Sequence, residues 1–154
     1  MFQVVLYRPE IPPNTGNIIR LCANTGADLH LVRPLGFSMD DTRLRRAGLD
    51  YHEYASVSEH SDFDAYLEAA RPARLFAMSG GGRQRYSEVA YREGDGLLFG
   101  PESVGLGERI LGHEGVTEIL RIPMLPDRRS LNLSNAVAVV LFEAWRQLAF
   151  GGGV

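Results

Sequence analysis

Ile122-Pro123-Met124-Leu125-Pro126-Asp127-Arg128-Arg129-Ser130-Leu131-Asn132-Leu133-Ser134-Asn135, continuing into Ala136-Val137-Ala138-Val139-Val140-Leu141-Phe142-Glu143-Ala144-Trp145, reads as a strand end, a stiff loop and a helix start. Pro123 and Pro126 each fix a backbone angle, so the loop is held rather than floppy. The helix is apolar almost all round for two turns, which requires burial on more than one side, in a core or against a second subunit. Ser130, Asn132, Ser134 and Asn135 crowd its first turn, where capping side chains belong and unpaired backbone N–H groups point outward. A small polar ligand suits such a place.

Working outward, the same design recurs. Leu97-Leu98-Phe99-Gly100-Pro101-Glu102-Ser103 is an apolar strand running into a Gly-Pro turn and a carboxylate, and Arg74 to Met78 is a strand delivering Ser79-Gly80-Gly81-Gly82. Thr117 to Ile122 supplies the strand that enters the opening loop. Nearer the N-terminus, Phe2 to Tyr7 and Asp28 to Val32 read as strands, and Tyr51 to Val57 as a further extended segment. Between them, Asn14 caps a predicted helix from Thr15 to Thr25 closed by Gly26, with Arg8 to Pro13 non-helical. Asp40-Asp41 start a short basic helix through Ala47 stopped by Gly48, Ser61 caps an amphipathic helix from Asp62 to Ala70, and a short helix covers Leu106 to Leu111. Strands alternating with helices predict one α/β domain over residues 1–154, with a mostly parallel sheet and helices on both faces. Ligands in such sheets bind beyond the carboxyl ends of the strands. The ends at Met78, Gly100 and Ile122 run into Gly, Pro and Ser turns that admit a ligand close to the backbone.

Composition narrows the chemistry. The chain has 154 residues, 45% of them hydrophobic, enough for one proper core. Its apolar runs are too short to span a bilayer and its start lacks a signal-peptide pattern, so a cytoplasmic protein is expected. Cys22 is the single cysteine, and His30, His52, His60 and His113 lack ligand spacing, so no metal is expected. All 16 basic residues are arginine, which removes a Lys-containing phosphate loop and any Schiff-base lysine. Net charge is −3, yet arginines gather at Arg43, Arg45, Arg46, at Arg83, Arg85 and at Arg128, Arg129. Each group by itself reads as solvated surface, and together they could converge into a phosphate-binding face.

Common catalytic motifs fail. Gly105-x-Gly107 has Ile110 where a dinucleotide fingerprint needs its third glycine, and no helix is expected to follow Gly80-Gly81-Gly82. No G-x-S-x-G elbow, no H-E-x-x-H and no histidine in the Pro-rich turns is present, so Ser130 and Ser134 read as caps or ligand donors. On the first helix, Ile18, Leu21, Cys22 and Thr25 form an inward stripe, while Asn17, Arg20 and Asn24 form a second, polar one. That second stripe reads equally as plain solvation or as a working surface.

Three stretches together resemble the motifs of the SPOUT RNA 2′-O-methyltransferases, in order and spacing: Asn14-Thr15-Gly16-Asn17-Ile18-Ile19-Arg20, Leu98-Phe99-Gly100-Pro101-Glu102-Ser103-x-Gly105-Leu106, and Ile122-Pro123-Met124 through Ser130-Leu131-Asn132-Leu133-Ser134-Asn135-Ala136. The Glu10-Ile11-Pro12-Pro13-Asn14 opening and the lack of room for a second domain look most like the small members that methylate the wobble cytidine or uridine ribose of tRNA. The resemblance implies a C-terminal trefoil knot and S-adenosyl-L-methionine as cofactor, held by Met78, Gly100, Ile122, Ser130, Leu131 and Asn135. It implies catalytic roles for Arg20, Asn17, Glu102 and Asn135, a homodimer completing each site, and the tRNA anticodon stem-loop as partner. Phe142 stands where relatives carry tyrosine. Two other readings share these motifs: a family member acting elsewhere on tRNA or on rRNA, and a non-catalytic RNA-binding module.

Overall fold

The computed structural model describes residues 1–46 and 56–154. β1 (Gln3–Tyr7) is followed by α1 (Pro12–Thr25), β2 (Asp28–Val32), α2 (Thr42–Arg45), β3 (Val57–His60), α3 (Phe63–Ala70) and β4 (Leu75–Met78). β5 (Gln84–Arg85), β6 (Gly96–Phe99), α4 (Glu108–Leu111), β7 (Glu118–Arg121) and α5 (Leu133–Gln147) complete the order. The strands hydrogen-bond in the order β3-β2-β1-β6-β4-β7-β5, and every recorded pairing is parallel.

Period-two alternation explains the layering. Val4, Leu6, Leu29, Leu31, Phe76, Met78, Leu97, Phe99 and Leu120 face one way, into a core shared with Ile18, Ile19 and Cys22 of α1 and Val137, Val140, Leu141 and Ala144 of α5. Val5, Tyr7, Val32, Leu75, Ala77 and Leu98 face the other, against Phe63 and Tyr66 of α3 and Ile110 of α4. Burial on both faces is why these strands read as continuous apolar runs. The ion pair of Arg74 with Asp95, at 2.9 and 2.6 Å, ties the start of β4 to that of β6, with Asp95 fully buried.

Several boundaries differ from the sequence reading. α1 begins at Pro12, not Thr15, because Pro12 and Pro13 occupy first-turn positions where a missing N–H costs nothing. Asn14 is therefore not its cap; the cap position is Ile11, which makes no side-chain capping bond. Gly26 does close the helix, at φ 71°. Asp62, not Ser61, caps α3, its carboxylate accepting from the Ala65 N–H at 2.8 Å. The basic helix has its cap at Asp41, as expected, and its described part ends at Arg45; Ala47 and Gly48 lie outside the described residues. The extended segment expected at Tyr51 to Val57 falls mostly outside them as well, and a strand is seen from Val57 to His60. Strand β5 was not foreseen, since two polar residues leave no pattern to read. His30 and His60, read as scattered filler, meet at 2.9 Å between ring nitrogens.

Candidate active site

β6, β4 and β7 are neighbours in the sheet, so the three Gly-, Pro- and Ser-rich exits are neighbours too. Ala77 pairs with Leu98 and Met78 with Leu120, which brings the chain out of the sheet at Ser79, Gly100 and Ile122 at nearly one level. Met78 is buried, Ile122 half-buried against the core, and Ser130, Leu131 and Asn135 are exposed just beyond. Two glycines are dictated by close approach. A Cβ on Gly100 would collide with the backbone N of Leu106 and sit 2.5 Å from the Gly105 carbonyl carbon, so the loop after β6 can fold back onto its own start only with glycine there. A Cβ on Gly82 would meet the Leu120 carbonyl carbon at 2.5 Å, pressing the β4 exit against the end of β7.

β1 and β6 are also adjacent, and their exit loops clasp each other. Glu102 ties down the chain that leads into α1: its carboxylate accepts from the N–H groups of Glu10 at 2.7 Å and Ile11 at 3.1 Å, just before the positive end of that helix. In return, Glu10 accepts from the backbone N–H of Ser103 at 3.2 Å and from its hydroxyl at 2.7 Å. Asn14, almost fully buried, joins this clasp to the third loop: its side-chain N–H donates to Glu102 at 3.4 Å, and its oxygen accepts from the Asn132 amide at 2.9 Å. Asn132 in turn caps α5, its oxygen accepting from Ser134 N–H at 2.9 Å, Ser134 Oγ at 2.6 Å and Asn135 N–H at 3.4 Å. One chain of hydrogen bonds thus runs through all three motif stretches. Asn14 and Asn132 are its junctions, and sequence reasoning saw them only as helix caps.

Asn17 and Arg20 lie exposed one turn apart on α1, the helix whose start this network fixes. Glu102 contacts α1 directly, while Asn135 is held through its backbone at the head of α5. Cys22 is no nucleophile, since burial first and Asp28 second push its thiol up to about 12. A surface hollow of about 600 Å³ at the exits of β2 and β3, lined by Arg33, Leu35, Phe37, Met39 and Glu59 among others, includes none of the site residues expected from sequence.

A parallel α/β sheet with backbone-rich loops at three adjacent strand exits places the chain in the class of α/β proteins whose ligands sit beyond the carboxyl ends of the strands. Within that class the chain belongs to the SpoU rRNA Methylase family, whose profile matches residues 1–142. The resemblance drawn from the three motifs is thereby borne out. An Escherichia coli (strain K12) tRNA (cytidine(34)-2′-O)-methyltransferase is 59% identical over 154 residues, all of this chain and 98% of the relative. A solved structure described as giving insights into 2-OH methylation of C/U34 on tRNA is 50% identical with a TM-score of 0.89, covering 97% of both chains. The SpoU methyltransferase AviRb from Streptomyces viridochromogenes, solved with the cofactor AdoMet, is 26% identical with a TM-score of 0.83, over 97% of this chain and 61% of that one.

Proposed function

We propose that this chain transfers a methyl group from S-adenosylmethionine to the ribose 2′-oxygen of the wobble nucleotide, cytidine or modified uridine at position 34, of tRNA. The observation that carries the substrate assignment is 59% identity, end to end, with a tRNA (cytidine(34)-2′-O)-methyltransferase. The site suits the cofactor by its donor set. Met78 and Ile122 offer apolar surface for a flat base, the loops at Gly100 and Ser130 offer backbone N–H and C=O groups for polar edges, and Leu131 and Asn135 close the ring. The loop at Gly100 is cradled so tightly that no side chain fits inside its fold. When bound, the cofactor supplies an electrophilic methyl on a sulfonium centre.

The chain's own residues then have three tasks. Holding the ribose in line can supply roughly 7–11 kcal/mol of the barrier, and Asn17 and Arg20 on the exposed face of α1 are the groups for it. The 2′-oxygen must lose its proton, which a guanidinium does not accept at neutral pH. Arg20 therefore stabilises the developing alkoxide or orients the adjacent phosphate, and the proton leaves through water. Glu102 and Asn14 fix α1 relative to the cofactor loops, so that the group pointing at the ribose and the loops holding the methyl donor keep one geometry. The trefoil knot implied by the family resemblance belongs to this reading.

The working unit of this reading is a homodimer in the cytoplasm, where tRNA is processed. Val137, Val140, Leu141 and Ala144, which the sequence offered to a partner, are spent inside the single chain, each at most 1% exposed. Other apolar residues take their place. Val139 and Phe142 share the outer face of α5, and Ile11 and Val104 flank the Glu10–Ser103 clasp, all of them exposed. Analytical ultracentrifugation at micromolar concentration is expected to give a dimer, and a folded monomer would contradict it. Methyl transfer to a tRNA transcript carrying cytidine at position 34 tests the activity itself; transfer to rRNA instead would move the chain to a different substrate within the family.

A further inference from the structure

We propose that the sheet edge formed by β5 and the end of β7 is a track for the phosphodiester backbone of the RNA substrate, with Arg83, Arg85 and Arg121 as its contacts. The inference rests on the RNA-methylating reading above and names where that RNA lies. Parallel register sets Arg85 beside Arg121 and Gln84 beside Leu120. Leu120 is fully buried, so alternation sends Arg85 and Arg121 to the opposite, exposed side. Arg83 immediately precedes β5, next to Gly82, whose Cβ position lies 2.9 Å from the Arg121 backbone N. Three guanidinium groups therefore gather at one strand edge.

Like charges on directly opposed strand positions are destabilising. A charged edge also guards against edge-to-edge pairing, but one charge suffices for that, or two of opposite sign. Among the described residues, the acid recorded beside this trio is Glu88, 3.7 Å from Arg85 with both side chains more than half exposed, where such a pair contributes little. Glu118 lies on the Leu120 side of β7, facing Gln84. Among the described residues, three guanidinium groups at this edge thus have one recorded acid beside them, in a chain of net charge −3. The edge adjoins the site: Arg121 is followed by Ile122 and by the loop carrying Arg128 and Arg129 that ends in the α5 cap. Guanidinium forks match phosphate oxygens, and a row of them next to a site for one nucleotide fits the strand on either side of that nucleotide.

The test is tRNA binding by full-length protein, measured by fluorescence anisotropy across a salt series, for wild type, Arg83→Gln/Arg85→Gln/Arg121→Gln and the matching triple Lys variant. Cofactor affinity and thermal unfolding are measured beside it. The Gln triple is expected to weaken tRNA binding at least about tenfold at moderate salt and to lower the log–log salt slope by about 2 to 3, with cofactor affinity unchanged. The Lys triple, which keeps the charge, should recover most of that affinity. Should the Gln triple fail to fold, Arg83→Gln alone, outside any strand, is expected to lower the slope by about 1. Unchanged affinity and slope in folded Gln variants overturn the track while leaving the methylation reading intact. A wild-type protein that binds no tRNA overturns both.

Discussion

In the proposed reading, Arg20 meets the substrate while Glu102 holds the helix that carries Arg20 in place. Arg20→Ala is expected to lower single-turnover methylation about 10²- to 10³-fold while leaving cofactor affinity nearly intact, and Arg20→Lys to rescue little, because the planar fork is lost. Cofactor binding that falls in step with activity would show the assignment to be wrong. Glu102→Gln keeps one acceptor at the head of α1 but loses the charge and the second oxygen, so it should cost about 1–2 kcal/mol of stability in denaturant unfolding. An unchanged unfolding midpoint would argue against the clasp. The pair formed by buried His30 and half-buried His60 sets a pH dependence. Burial first, and then His60, lower the His30 pKa from 6.5 to about 4, and burial lowers that of His60. Both are held neutral in the folded state, so their contribution is present above pH 6.5 and is lost as pH falls toward about 4, where the unfolded chain binds the proton more readily. His30→Phe should flatten the decline between those values. At this scale the sequence pointed to Arg20 by its polar stripe, but it could not reveal Asn14 and Asn132 as junctions. Their partners are 88 and 118 positions away from Asn14, and nothing local marks such a bond.

The strands were legible because burial on both faces leaves an unbroken apolar run, as in Leu97-Leu98-Phe99 and Leu75-Phe76-Ala77-Met78. Helix starts were less so. α1 opens on Pro12 and Pro13, which have no N–H to cap, so the rule that looks for Asn or Ser before the apolar stripe settled on Asn14 and shortened the helix. The turn at Gly100-Pro101, read as one that admits a ligand close to the backbone, instead packs against its own continuation at Gly105 and Leu106. Gly100→Ala tests it: the new methyl meets the backbone of Gly105 and Leu106, so about 1–3 kcal/mol of stability and much of the cofactor affinity should go, by unfolding and calorimetry respectively. Wild-type affinity in that variant would mean the loop does not shape the pocket.

Across the whole molecule, alternating strands and helices in one chain of 154 residues specified the doubly covered parallel sheet. The strand order that makes those exits neighbours, and the register that sets Arg85 beside Arg121, depend on long-range pairing that no local pattern encodes. Which residues of the apolar helix would meet a second subunit was not legible for the same reason, because such a helix does not say which of its faces its own sheet will cover. Phe142→Glu, on the exposed face of α5, should shift the sedimentation equilibrium toward monomer and reduce turnover together. The most direct test of the account is methyl transfer in the purified system: full-length protein, isotopically labelled S-adenosylmethionine and a tRNA transcript with cytidine at position 34, followed by nuclease mapping of the label. The account predicts one methyl group per tRNA on the 2′-oxygen of nucleotide 34; label found on a base or at another position, or no transfer by a folded protein that binds both partners, would contradict it.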